Sequence, residues 1–156
     1  MKKKKIQNII ILSIAIIIIG AIIAYNYSVD TTKQKGLQFG NELSQIENEL
    51  SEIQNKFYSE KTKWAEGDIS KEELLKFYEE HIDNFQQTIS KYDKLTPPEL
   101  FQSSVVLLKM SAETQLESDL QFIEWIKTED EASKIRSDAL IQEAYEYQNL
   151  GLVEFQ

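Results

Sequence analysis

Apolar residues recur along most of the chain at spacings of three and four, which is the period of an amphipathic α-helix. Two segments, 39–57 and 75–92, show this period most regularly. Their apolar positions are Phe39, Leu43, Ile46, Leu50, Ile53 and Phe57 in the first, and Leu75, Tyr78, Ile82, Phe85, Ile89 and Tyr92 in the second. Alternating spacings of three and four form a seam along which helices pack at a shallow angle. The pattern therefore predicts an all-α protein.

Four helices are predicted beyond residue 30. Their approximate ranges are 31–65, 70–94, 97–127 and 129–150. Because the connections between them are short, consecutive helices are expected to run in opposite directions. The sequence thus predicts an up-down-up-down antiparallel four-helix bundle. The seam on the first helix could equally serve a homodimer, and the sequence leaves both uses open.

Polar residues at the predicted breaks supply signals for the ends of these helices. Ser70 and Glu73 have the spacing of a capping box, in which each side chain accepts a hydrogen bond from the other residue's main-chain amide. Thr96 and Glu99 repeat that spacing, and Thr128 precedes acidic residues that suit the positive end of a helix. Two glycines stand where helices are expected to end, Gly67 and Gly151.

The N-terminus combines a basic stub with a long apolar run. Residues 6–24 form a 19-residue stretch without a charge. At 1.5 Å per residue this stretch spans roughly 28 Å, close to the hydrocarbon thickness of a bilayer. The residues that flank it are Lys2, Lys3, Lys4 and Lys5 before it and the aromatic Tyr25 and Tyr27 after it. These flanks predict a transmembrane helix with its basic end in the cytoplasm and aromatic residues at the opposite interface.

A cleaved signal peptide is the alternative explanation of this run. Signal peptidase requires small residues at the last and third-last positions before the cut. Cleavage after Ala24 places Ile22 at the third-last position, and cleavage after Ala21 places Ile19 there. We therefore expect an uncleaved signal-anchor and a cell-membrane protein with a single span.

The expected organisation has four parts. They are a cytoplasmic basic stub (1–5), a transmembrane signal-anchor helix (6–24), a juxtamembrane helical stalk (25–36) and an extracytoplasmic acidic helical bundle (37–156). Only Gly36 weakens helix between the span and the bundle, at a cost of about 1 kcal/mol. One long helix is therefore predicted from about residue 6 to residue 65.

Charge and composition exclude several classes of function. All 26 acidic residues but only 13 of the 17 basic ones follow residue 24, so that part carries a net charge of about −13. Such a surface repels nucleic-acid phosphates, and we expect no nucleic-acid partner. The chain has no cysteine and one histidine, which excludes disulfides and thiolate metal sites. We expect no enzymatic activity, catalytic residue or cofactor.

Two features resemble metal sites without completing one. Residues 67–73 match the second half of a calcium-binding EF-hand loop, but the first half lacks the carboxylates that calcium needs at Thr62 and Trp64. His81 lies beside Ile82, at the edge of the predicted seam, and no convergent ligands accompany it. We therefore expect His81 to be half-exposed and expect no metal site.

Aromatic residues near the ends of the first and third helices are the remaining candidate site. Trp64, Trp125 and Phe122 would meet at the end of the bundle farthest from the membrane. Tryptophan is enriched where proteins bind partners, but it also closes the ends of helical cores. Both roles are open.

Two functions are compatible with these observations. The first is a membrane-anchored structural or protein-interaction module that binds an unknown protein outside the membrane. The alternative is an extracytoplasmic module that binds a small ligand or a cation between its helices. The layout is loosely similar to the four-helix sensor domains of bacterial chemoreceptors, a likeness that rests on no specific motif.

Overall fold

The computed structural model describes residues 30–153 and Phe155. These residues form four α-helices and contain no strand, which confirms the all-α prediction. The helices are α1 (Asp30–Glu66), α2 (Lys71–Ile89), α3 (Gln102–Thr128) and α4 (Glu131–Val153). Short 3-10 turns follow α2 at Ser90–Lys94 and precede α3 at Glu99–Phe101.

The predicted membrane anchor lies outside the described residues. This applies to the span 6–24 and to the residues that flank it, Lys2, Lys3, Lys4, Lys5, Tyr25 and Tyr27. Within residues 30–153, no helix is both long enough and apolar enough to cross a membrane.

The turn between α1 and α2 forms as the sequence predicts. Gly67 adopts a φ of +83°, and its N–H and that of Asp68 donate to the carbonyl oxygens of Trp64 and Lys63, a Schellman ending of α1. The Ser70 Oγ accepts a hydrogen bond from the Glu73 N–H at 3.1 Å. The Glu73 Oε2 in turn accepts one from the Ser70 N–H at 2.8 Å, which completes the capping box.

The predicted capping box at Thr96 is wrong. Pro98 has an extended backbone (φ −56°, ψ 150°), and α3 begins only at Gln102, after a 3-10 turn, with no side-chain cap. The reason is the pair of prolines, because a residue that precedes a proline is disfavoured in the helical region. Pro97 therefore cannot readily continue a helix begun at Thr96.

The predicted start of the fourth helix at Thr128 is also wrong. Thr128 is the last residue of α3, and its hydroxyl donates to the Glu124 carbonyl oxygen at 2.8 Å. Glu129 then adopts a left-handed conformation with φ of 61°. The side chain that caps α4 is Asp130, whose Oδ1 accepts a hydrogen bond from the Ala132 N–H at 3.2 Å.

Gly151 does not end a helix, contrary to the prediction. It lies inside α4 and is buried against α3. A Cβ at this position would lie 3.1 Å from the Leu108 Cγ and 3.2 Å from the Ser104 carbonyl oxygen. Its small size therefore permits close packing of the two helices.

Small residues at intervals of seven line both sides of this α3–α4 interface. They are Ser104, Ser111 and Ser118 in α3 and Ser137, Ala144 and Gly151 in α4. All six are buried. Apolar periodicity does not reveal this repeat, because four of its six members are serines.

The apolar core divides into two clusters along the length of the helices. The first surrounds Phe39, which stacks on Phe101, which in turn stacks on Phe155 at 4.8 Å between ring centroids. The second surrounds Phe57 and Tyr78, whose centroids lie 4.9 Å apart. Most positions of the predicted α1 seam are buried in these clusters, which confirms that seam.

Cross-helix contacts define which parts of the helices are neighbours. Residues early in α1 contact the chain beyond the end of α2, as in the hydrogen bond from the Tyr92 hydroxyl to Glu47. The start of α1 contacts the start of α3 through Phe39 and Phe101, and the two helices meet again at Trp64 and Trp125. The aromatic candidate site therefore lies at the opposite end of α1 from Phe39.

Candidate functional site

The three aromatic residues singled out in the sequence are in contact. The ring centroids of Trp64 and Trp125 lie 6.0 Å apart, with the rings nearly perpendicular at 84°. Phe122 contacts both, at 6.4 Å from Trp64 and 5.4 Å from Trp125. These are the edge-to-face distances at which aromatic rings attract one another. We name this group the aromatic tip.

The members of the aromatic tip differ in exposure. Phe122 is buried, whereas both tryptophans are half-buried and pack on the second core cluster from outside. Phe122 therefore holds the indoles in place and does not itself present a surface. Only Trp64 and Trp125 offer aromatic area to a partner.

Two lysines lie over the aromatic tip. The Lys61 Nζ is 3.6 Å from the centroid of Phe122, and the Lys134 Nζ is 4.6 Å from that of Trp125. Cations at these distances are attracted by the negative face of the ring. The neighbouring turns are acidic and exposed, with Glu66, Asp68, Glu129, Asp130 and Glu131. The tip thus combines aromatic area with charges of both signs.

His81 is buried, so the expectation of a half-exposed surface histidine is wrong. Its residue exposure is 2%, and its ring stacks on Phe57 at 4.5 Å between centroids. The Nε2 lies 2.9 Å from the Asp119 Oδ2, and the Gln54 Nε2 donates to the Asp119 Oδ1 at 3.3 Å. These residues form a buried polar chain that links α1, α2 and α3.

The error about His81 comes from the choice of seam on α2. One buried face of this helix and the following turn repeats at spacings of four and three, and its residues are Leu74, Tyr78, His81, Phe85, Thr88 and Tyr92. Ile89 is buried beside this face. Four positions of the predicted seam are buried, namely Tyr78, Phe85, Ile89 and Tyr92, whereas the apolar Leu75 and Ile82 are only partly buried. The correct face contains His81 and Thr88, and the signal that could have identified it is the spacing to Tyr78 and Phe85.

Burial shifts the pKa of the Asp119 carboxyl group in this polar chain. Burial raises the pKa of Asp119, while the hydrogen bond from His81 opposes that rise. When the Asp119 carboxylate is ionised it only accepts hydrogen bonds, so in that state the His81 Nε2 is the donor of this hydrogen bond. The His81 Nδ1 has no hydrogen-bond partner among the described residues, nor does the Gln54 Oε1.

A second buried carboxyl group lies nearer the start of α1. Glu47 is 8% exposed and accepts a hydrogen bond from the Tyr92 hydroxyl. Burial raises the pKa of Glu47 to about 7, and the Tyr92 hydrogen bond opposes the rise. A cavity of about 30 Å³ adjoins the carboxyl group. The sequence does not single out Glu47, because carboxylates on a predicted helix are most often part of a solvated face.

The groove between α1 and α2 holds two open cavities of about 190 and 270 Å³. They share Glu52, Ile53 and Asn84, and His81 lines the smaller one. The described residues contain no group of three or more histidine and acidic side chains placed to hold a metal ion together.

No protein-family model matches the sequence, and neither the curated proteins nor the solved structures contain a significant match.

Proposed function

We propose that the chain is a single-pass membrane protein whose extracytoplasmic helical bundle acts as a non-enzymatic structural or protein-interaction module. The uncharged run 6–24 with lysines before it supports the anchor, its orientation with the N-terminus in the cytoplasm, and contact with the bilayer. The acidic composition of the remainder keeps a domain exposed to water soluble and free of nucleic acid. The partner is a protein outside the membrane.

The contacts between helices support an up-down-up-down arrangement of the bundle. Tyr92 lies beside Glu47, so α2 returns along α1, while Ser111 and Ser118 pair with residues in reverse order along α4. Short connections favour the same topology. In this arrangement, α1 leads directly out of the membrane.

The observation that carries the proposal is the contact between Trp64 and Trp125. From Asp30 to Trp64, α1 extends about 50 Å at 1.5 Å per residue. The two half-buried indoles are thus held together at the end of the bundle farthest from the proposed anchor. Tryptophan supplies large contact area at protein interfaces, and the acidic turns beside it would attract a cationic partner surface.

Site-specific photo-cross-linking in the native membrane tests this proposal. A cross-linking amino acid replaces Asp68 beside the aromatic tip or, as a control, the exposed Leu150 at the opposite end of the bundle. We expect an adduct with another protein from position 68 and none from position 150. The adduct should disappear when Trp64→Ala and Trp125→Ala are added, at a temperature where circular dichroism shows the variant to be folded.

Two results would contradict the proposal. One is an adduct at position 68 that persists in the folded double variant, which would leave the indoles a purely structural role in closing the core. The other is the absence of any adduct at position 68, which would show that the tip binds no protein.

A further inference from the structure

The cavity beside Glu47 lies where α1, α3, α4 and the turn after α2 converge. Its volume of about 30 Å³ holds one or two water molecules or one small ion. The residues that line it are Glu47, Leu50, Ser51, Gln54, Tyr92, Leu108, Ser111, Ala112, Gln115 and Gln148. A small ion therefore fits this space.

The polar groups around the cavity are rich in oxygen atoms that accept hydrogen bonds or bind cations. Glu47 supplies a carboxylate, Ser51 a hydroxyl, and Gln54, Gln115 and Gln148 supply amide oxygens. The Gln54 side chain is 6% exposed, and its Oε1 has no hydrogen-bond partner among the described residues. None of the described residues that line the cavity is basic.

This environment leaves the charge of Glu47 without compensation. A buried carboxylate is costly unless it is paired with a cation or takes up a proton. The Tyr92 hydroxyl donates a hydrogen bond to it but supplies no positive charge. A cation in the adjoining cavity would supply that missing positive charge.

We propose that this cavity binds one small monovalent cation such as Na⁺, with the Glu47 carboxylate as its charged ligand and Ser51 and Gln54 as neutral oxygen ligands. Hard cations take oxygen ligands of this kind. A single carboxylate neutralises a single positive charge, whereas calcium sites gather several carboxylates. The site is independent of the aromatic tip.

Bound Na⁺ would connect the helices that converge on the cavity. Ser51 and Gln54 lie one and two turns beyond Glu47 on α1, and Gln115 and Gln148 face them from α3 and α4. A ligand that binds only the folded state stabilises it in proportion to the logarithm of its concentration. Cation binding is therefore expected to raise the thermal stability of the bundle.

Thermal unfolding of the full-length chain in phosphatidylcholine nanodiscs tests the site. At pH 8 we expect the melting temperature to be several degrees higher in NaCl than in choline chloride of equal ionic strength. The difference should disappear in Glu47→Gln and persist in Glu52→Gln, which removes an exposed carboxylate one turn away. Should Glu47→Gln fail to fold, Ser51→Ala serves instead, and it should shift the Na⁺ midpoint several-fold upward.

Three outcomes overturn the proposal. They are equal melting temperatures in NaCl and choline chloride at pH 8, a Na⁺ effect that survives Glu47→Gln, and a Na⁺ midpoint unchanged by Ser51→Ala. A rise produced by CaCl₂ and not by NaCl overturns the assignment of a monovalent cation.

Discussion

The Ser111 hydroxyl donates a hydrogen bond to the main-chain carbonyl oxygen of Ala144, 2.8 Å away on the neighbouring helix. A side chain as short as serine reaches another backbone only when the two helices are close. The Ser118 hydroxyl makes the same contact with the Ser137 carbonyl oxygen, also at 2.8 Å. The α3–α4 pair is therefore packed almost backbone to backbone, and residue size limits how close the two helices can come.

Enlarging Gly151 should disrupt this packing. A Gly151→Leu side chain has no space between the Leu108 side chain and the Ser104 carbonyl oxygen. Overpacking of this kind costs about 1–3 kcal/mol. Urea unfolding measures the effect. The control is Asn149→Leu, at an exposed position of the same helix, which should change the free energy of unfolding by less than about 0.5 kcal/mol. Equal stability of the two variants would show that the interface is looser than described.

Removing His81 should destabilise the bundle more at neutral than at acid pH. His81→Leu leaves the buried Asp119 carboxylate with Gln54 as its remaining described hydrogen-bond donor. Loss of one partner of a buried pair costs about 3–5 kcal/mol. Because burial raises the pKa of Asp119, protonation should relieve the loss as the pH falls from 7 towards 4. Denaturant unfolding at the two pH values checks this prediction.

The double variant His81→Leu/Asp119→Leu is the matched control for that prediction. It removes both polar partners and fills their space with apolar side chains, so it should recover much of the lost stability. If the double variant is as unstable at pH 7 as His81→Leu, the loss arises from packing against Phe57 and not from the uncompensated carboxylate.

Glu47 should make stability fall as the pH rises. Its pKa is raised from about 4.5 to about 7 on folding, so over that range the folded chain binds a proton that the unfolded chain has released. In choline chloride, stability should fall by about 2–4 kcal/mol between pH 4.5 and 7 and then level off. Glu47→Gln should abolish this contribution, and a pH dependence identical to that of the unsubstituted chain would contradict it.

Ser70 and Thr96 are both predicted as helix caps, and they should respond differently to substitution by alanine. Ser70→Ala removes a capping box and should cost about 1 kcal/mol. Thr96→Ala should have almost no effect, because no side chain caps the start of α3. Urea unfolding midpoints compare the two, and an equal loss at both positions would mean that Thr96 has a structural role the fold does not show.

The apolar pattern was sufficient to predict four helices, the α1 seam and the meeting of Trp64 with Trp125. It failed wherever buried residues are polar or small. His81 is buried beside its partner Asp119, and Glu47 is buried beside its partner Tyr92. The spacing within one helix can place a residue on the buried face, but it does not reveal the partner on another helix that makes burial of a polar group possible. Gly151 was wrongly predicted to end a helix, because the sequence of one helix does not distinguish a glycine that ends it from a glycine that permits close packing against a neighbour.

The central claim is that Trp64 and Trp125 lie at the end of a membrane-anchored bundle that points away from the bilayer. The chain contains two tryptophans, so its indole fluorescence reports on this end alone. The measurement is quenching of the full-length chain reconstituted in vesicles, with acrylamide in the water or with brominated lipids in the membrane. The account predicts quenching by acrylamide and none by brominated lipids, while a Tyr25→Trp variant gains a component that brominated lipids do quench. Quenching of the unsubstituted chain by brominated lipids, or no such component in Tyr25→Trp, would contradict it.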